Sequence, residues 1–77
     1  MQVVITPSAF RHGISESDAR HAYRNRIEVW IFDDDFRMLV GPGEHGQLLE
    51  IGVATRPDHH VIVHAMAARE KFLRRSR

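Results

Sequence analysis

Histidine and arginine are the residues that could do chemistry in this chain, which carries six His and ten Arg beside a single Lys71 and has no Cys. Histidine titrates near neutral pH, and arginine offers a planar donor fork suited to phosphate and carboxylate. His12, within Arg11-His12-Gly13, falls where a helical turn should end at a glycine cap, beside exposed carbonyls that attract positive charge. A His there can donate a proton or simply complement the helix end. His60 and His64 are four apart in an expected strand, so they would share a face but stand about 13 Å apart, too far to hold one metal ion. Asp33-Asp34-Asp35 could hold a hard cation or form a solvated turn. No helical His pair with an acid between them is present, so no metal site is expected.

The C-terminal stretch carries Arg69, Lys71, Arg74, Arg75 and Arg77 against one acid, Glu70. It could follow a phosphate backbone or be the exposed face of a helix. Aromatic residues for base stacking are few, and Trp30 and Phe36 fall in expected strands where core packing is their natural duty.

These side chains must be positioned by one small domain spanning residues 1–77. A chain of this length hides only about 60% of the surface it would expose unfolded, and without cysteine it lacks disulfide or thiolate-metal staples. A partner would supply the missing burial. With 43% hydrophobic and 27% charged residues, the composition is that of a folded chain rather than a disordered one. No apolar run approaches the 18 or so residues of a membrane span, and the first residues lack the basic and long apolar regions of a signal peptide. The expectation is a cytoplasmic protein with no membrane association. The net charge of +1 is too small by itself to mark a nucleic-acid binder.

Along the chain, Val3-Val4-Ile5 is a short β-branched run, and Thr6-Pro7 can open a helical turn that Gly13 closes. Ser15-Glu16-Ser17-Asp18 then resembles a capping box, and Ala19, Ala22, Tyr23 and Ile27 form one apolar stripe of a second helix. Runs at 27–32, 36–40, 47–55 and 59–66, separated by turn-forming residues, predict an antiparallel meander. Strong helix formers over 67–75 predict a C-terminal basic helix, with Glu70 spaced to pair with Arg74. The fold class is α+β, a small antiparallel sheet of four to five strands with two N-terminal helical segments and a C-terminal helix.

Two polar residues interrupt the apolar strands. The last strand alternates Val61, Val63 and Ala65 against His60, Ile62, His64 and Met66, and Glu50 breaks the preceding one. A three-residue loop at Pro57-Asp58-His59 would set Gly52 opposite His64 and Glu50 opposite Met66, leaving Glu50 diagonal to His64. A two-residue loop would send the two side chains to opposite faces. A joined pair could be structural or catalytic.

Taken in order, His12-Gly13-Ile14-Ser15 opening a helix that contains Asp18 and Ala22, Arg37 with Leu39-Val40-Gly41, Gly46-Gln47-Leu48-Leu49-Glu50, and Val61 through Met66 leading to Arg69 resemble the BrnT-like toxins of bacterial type II toxin–antitoxin systems, within the RelE/ParE superfamily. The resemblance covers most of the chain. It departs from the family's pattern at His64 and Met66, with the Arg displaced to Arg69, and at Thr6-Pro7-Ser8-Ala9-Phe10 in place of an aromatic and lysine-bearing segment. It implies a RelE-like fold, a ribonuclease that arrests translation and growth, and a cognate antitoxin, a DNA-binding protein encoded beside it, forming a hetero-oligomer with the toxin. Metal-independent RNA cleavage would then fall to His12, His64, Arg69 and Glu50, with Arg37, Lys71 and Arg74 holding phosphates, and no cofactor is called for. Glu50 would orient His64 or act as the base itself. Two other readings stay open: a non-catalytic ParE-like inhibitor of a protein target such as a topoisomerase, and an inactive interaction module.

Overall fold

The computed structural model describes residues 2–73 and has an α+β architecture. Five strands, β1 (Gln2–Ile5), β2 (Glu28–Asp33), β3 (Phe36–Pro42), β4 (Leu48–Thr55) and β5 (His59–Ala67), form one sheet in the order β1-β5-β4-β3-β2. The expected meander is present as antiparallel β2 to β5. The sheet is mixed rather than wholly antiparallel, because β1 pairs parallel with β5. The chain reaches β5 from β1 only after crossing the helix and the whole meander, and it enters the sheet at the edge that the meander leaves open.

One helix, α1 (Glu16–Arg24), covers one face of this sheet. Its N-cap is Ser15, whose Oγ accepts the Asp18 N–H at 3.1 Å. Asp18 does not close the capping box. Its carboxylate instead accepts the Glu44 N–H at 2.7 Å and ties the helix start to the β3–β4 turn. Ala19 and Ala22 are fully buried and Tyr23 packs beside them. Ile27, assigned to the same stripe, lies beyond the helix and is 64% exposed. Asn25 ends α1, and the chain turns so that the Ile27 N–H donates to Val40 O at 2.7 Å. Small residues let α1 lie close on the sheet. A Cβ at Gly41 would fall 2.2 Å from the Ala22 carbonyl oxygen, so that contact needs glycine.

The remaining expected helices are reduced. The first N-terminal segment is a single 3-10 turn, Pro7–Phe10, followed by a tight turn through His12 to Gly13 at φ +80°. The C-terminal helix over 67–75 does not form among the described residues. β5 runs on to Ala67, Arg69 is extended, and one 3-10 turn follows at Glu70–Phe72. Two contacts outweigh the helical propensity of this stretch. The Arg69 N–H donates to Glu50 at 2.9 Å, which requires extended backbone there, and Phe72 is buried beneath the sheet against Met38, Val40 and Trp30. The expected Glu70–Arg74 pair lies partly outside the described residues, as do Arg75 and Arg77.

The sheet thus has two unlike faces. The helix face carries the main core of Leu39, Leu49, Ile51, Val53, Ile62 and Ala65 against Ala9, Ala19 and Ala22. On the far face, Met38, Val40 and Phe72, with Trp30 and Phe36, form a smaller cluster that the C-terminal segment closes. No helix among the described residues is long and apolar enough to cross a membrane.

Candidate active site

The far face holds Glu50, a carboxylate with 0% of its surface exposed, on an otherwise apolar strand. Burying a charge is tolerated only when it is paired and hydrogen-bonded, and here every bond comes from the end of β5 and the residues after it. Oε1 accepts the Arg69 backbone N–H at 2.9 Å and Nε–H at 3.1 Å. Oε2 accepts Arg69 Nη2–H at 2.7 Å and His64 Nε2–H at 2.9 Å. Burial pushes the Glu50 carboxyl up, but the side-chain and backbone hydrogen bonds from Arg69, the bond from His64 and the Arg69 charge outweigh it. The net result lies below the ordinary value of 4.5. Glu50 also holds Arg69 firmly in its charged form.

A β-bulge makes this meeting possible. Near the hairpin the register pairs Thr55 with His60 and Val53 with Ile62, and the Arg56 N–H donates to His59 O at 2.9 Å, so the loop is the two-residue one at Pro57-Asp58 rather than three residues long. An even-numbered loop alone would turn Glu50 and His64 to opposite faces. Between Ile62 and His64 the ladder slips by one, leaving Val63 unpaired, and beyond it Gly52 faces His64 and Glu50 faces Met66. The pairing expected from a three-residue loop is therefore reached with a two-residue one, and its cause is the bulge. The bulge also separates the two histidines expected on one face. His60 stays with Ile62 on the helix face, where its Nδ1 bonds Tyr23 OH at 2.7 Å, while His64 turns to Glu50.

The segment after β1 secures the bulge. Thr6 N–H donates to Ile62 O at 3.0 Å, and Ser8 Oγ donates to Val63 O at 3.0 Å. Four residues later the same segment delivers His12, whose ring meets His64 edge to face with centroids 5.6 Å apart. His12 owes its place to that contact, since it stands in the turn beyond the 3-10 segment and not in the last turn of a helix. Sequence reasoning missed Ser8, and no spacing rule singles it out. Gly52 was the available signal for the bulge, because a glycine inside a strand often marks one.

Gly52 also has a packing role. A Cβ there would come within 2.9 Å of the His64 Cβ and 3.0 Å of Phe36 Cζ. Gly52→Ala is therefore expected to push His64 away from Glu50 and to cost about 2 kcal/mol of stability, as overpacked sites do. Urea denaturation of the variant beside the parent measures that loss, and an unchanged midpoint would show that His64 yields freely.

The functional candidates divide between the two faces. Glu50, His64, Arg69 and His12 come together. Lys71 lies on the same C-terminal turn, its Nζ 5.1 Å from the Phe72 ring, which the Arg69 guanidinium also approaches at 5.5 Å. Arg37 does not join them. It pairs across from Val53 and lines a pocket on the helix face with Tyr23, Arg26 and His60. Arg74 lies outside the described residues. Of the other histidines, His21 donates through Nδ1 to Pro42 O at 2.8 Å and serves the α1–β3 contact, and His59, the first residue of β5, pairs with the exposed Asp58 of the hairpin loop. Among the described residues no three His, Asp or Glu side chains converge as metal ligands.

This arrangement limits what each group can do. Glu50 is sealed from solvent and saturated with donors, so it orients other groups and does not take a proton from a substrate. With Nε2–H given to Glu50, a neutral His64 keeps its lone pair on Nδ1, which has no hydrogen-bond partner among the described residues. The His64 side chain is 26% exposed, so a substrate can reach it. Arg69 spends Nε–H and one Nη2–H on Glu50 and retains three N–H groups on a side chain that is 47% exposed. The site is a held imidazole with an available base, a held cation beside it, and a second imidazole in contact. No family model matches the chain, nor does any curated protein or solved structure.

Proposed function

We propose that the chain is the toxin of a type II toxin–antitoxin pair, a metal-independent endoribonuclease that cleaves mRNA and arrests growth in the cytoplasm. The single observation that carries this reading is the Glu50–His64–Arg69 cluster with His12 against it. Cleaving RNA through its own 2′-hydroxyl needs a base for that proton, a cation for the charge building on phosphorus, and an acid for the leaving 5′-oxygen. His64 Nδ1 is the base, with Glu50 fixing its tautomer from behind as a carboxylate does in a catalytic triad. The free edge of Arg69 stabilises the phosphorane, and His12 protonates the departing oxygen. The 2′-oxygen bonds to phosphorus as the P–O5′ bond breaks, leaving a 2′,3′-cyclic phosphate and a 5′-hydroxyl. Lys71 extends the positive surface along the RNA.

A DNA-binding antitoxin encoded beside the chain completes the proposal. By covering this face it would block the site and stabilise a domain with little core of its own. Induction of the chain without its neighbouring gene is the test in cells. Transcript loss with growth arrest, and no DNA-damage response, is the expected outcome. Damage signalling with intact transcripts would favour an inhibitor of a topoisomerase, and normal growth at good expression would indicate an inactive module.

A further inference from the structure

The helix face carries a second cluster that the RNA-cleaving site does not use. Between α1 and the sheet lies a pocket of about 190 Å³, lined by Tyr23, Arg26, Arg37, Thr55 and His60 over an apolar floor that includes Leu39 and Val53. Its charge is unbalanced, since neither Arg26 nor Arg37 has a carboxylate partner among the described residues. Arg26 donates only to Tyr23 O, at 2.9 Å, and stacks over the Tyr23 ring at 5.2 Å. The Nε–H of Arg37 is buried with no acceptor at all. Such an orphaned donor is uncommon in native proteins and points to a missing partner.

We infer that this pocket binds a small phosphate monoester, its oxyanion held by Arg26 and Arg37 and bonded to Tyr23 or His60. Two arginines match the charge of a monoester, which approaches two negative charges near neutral pH. A carboxylate would balance only one of them. The pocket has room for the phosphate and roughly a sugar, and its apolar floor suits the carbon atoms. His60 gives the site a pH response. Desolvation, followed by the charges of Arg37, Arg26 and His59, holds its imidazole below the ordinary 6.5, while Tyr23 meets it through its OH. A bound anion offsets those two arginines and favours the imidazolium, so binding takes up a proton.

The test is an NMR titration of the whole chain with ribose 5-phosphate, beside ribose and acetate as controls. Saturable shifts at Tyr23, Arg37 and His60 are expected with the phosphate and not with the controls. Arg37→Ala and the more exposed Arg26→Ala should each weaken binding about tenfold or more, as loss of a charge-assisted bond does, with denaturation midpoints recorded to separate binding from folding. Sulfate, which does not titrate in this range, should bind more tightly at about pH 5.5 than at about pH 7.5. A 5′-phosphorylated oligonucleotide against its 5′-hydroxyl counterpart tells whether an RNA end can be the source of the phosphate. Shifts confined to His64 and Arg69, equal binding of ribose, or full affinity in a folded Arg26→Ala protein would overturn the inference. None of these readouts depends on RNA cleavage.

Discussion

Glu50→Ala is expected to lose about 3 kcal/mol of stability, the low end for breaking a buried ion pair, because Arg69 is half exposed and can partly rehydrate. A domain of this size has only about 4–12 kcal/mol in total, so the variant should be severely destabilised. The loss has a structural reason beyond charge. Glu50 binds the backbone N–H of Arg69 as well as its side chain, and releasing both frees the segment that carries Phe72 over the sheet. The same carboxylate governs acid stability. Because folding holds its pKa below the ordinary 4.5, the unfolded chain takes up the proton first as pH falls. The stability Glu50 contributes is complete above 4.5 and is lost as pH drops through the folded value. Glu50→Gln, which keeps the shape and part of the hydrogen bonding, should therefore flatten the acid side of a stability–pH curve. An equally steep acid limb in that variant would assign the effect to other carboxylates.

His64→Ala should behave in the opposite way. It removes one hydrogen bond from Glu50 while the Arg69 contacts remain, so the stability cost is about 1 kcal/mol. RNA cleavage, by contrast, should fall about 100- to 10,000-fold, the usual contribution of a positioned general base. Loss of growth arrest with a cooperative unfolding transition close to the parent's is the expected pair of results. Arg69→Ala is less informative, since it leaves Glu50 buried with His64 alone and confounds folding with activity. The contrast between Glu50 and His64 is the sharper tool, because one residue holds the site and the other acts in it.

Much of this site could be read from the sequence because its parts are chemically out of place. A Glu inside an apolar strand and a His inside an internal one announce themselves, but parity left open whether they meet or point to opposite faces. The reason for the contact was not legible. A bulge at Val63 is a choice between two ladders that differ by one residue, decided by Ser8, Thr6 and the fit of Gly52 against His64, none of which alternation detects. That same slip is why His60 was grouped with His64 and why the pocket on the helix face went unseen. Local propensity also misled at the C-terminus. The residues from Ala67 onward favour a helix in isolation, but burial of Phe72 and the Glu50 bond to the Arg69 backbone hold the described part of the segment extended and turned. Arg37 was expected to hold phosphate with Arg69 because of the family resemblance. Strand register sets it on the other face, across from Val53.

The central proposal is that the Glu50–His64–Arg69 face cuts RNA without a metal ion. Its most direct measurement is end-group analysis of RNA incubated with the purified chain in excess EDTA, with the His64→Ala protein in parallel. The expected result is fragments ending in 2′,3′-cyclic phosphate from the parent and intact RNA from the variant. Intact RNA with a folded parent, or the same fragments from His64→Ala, would contradict it.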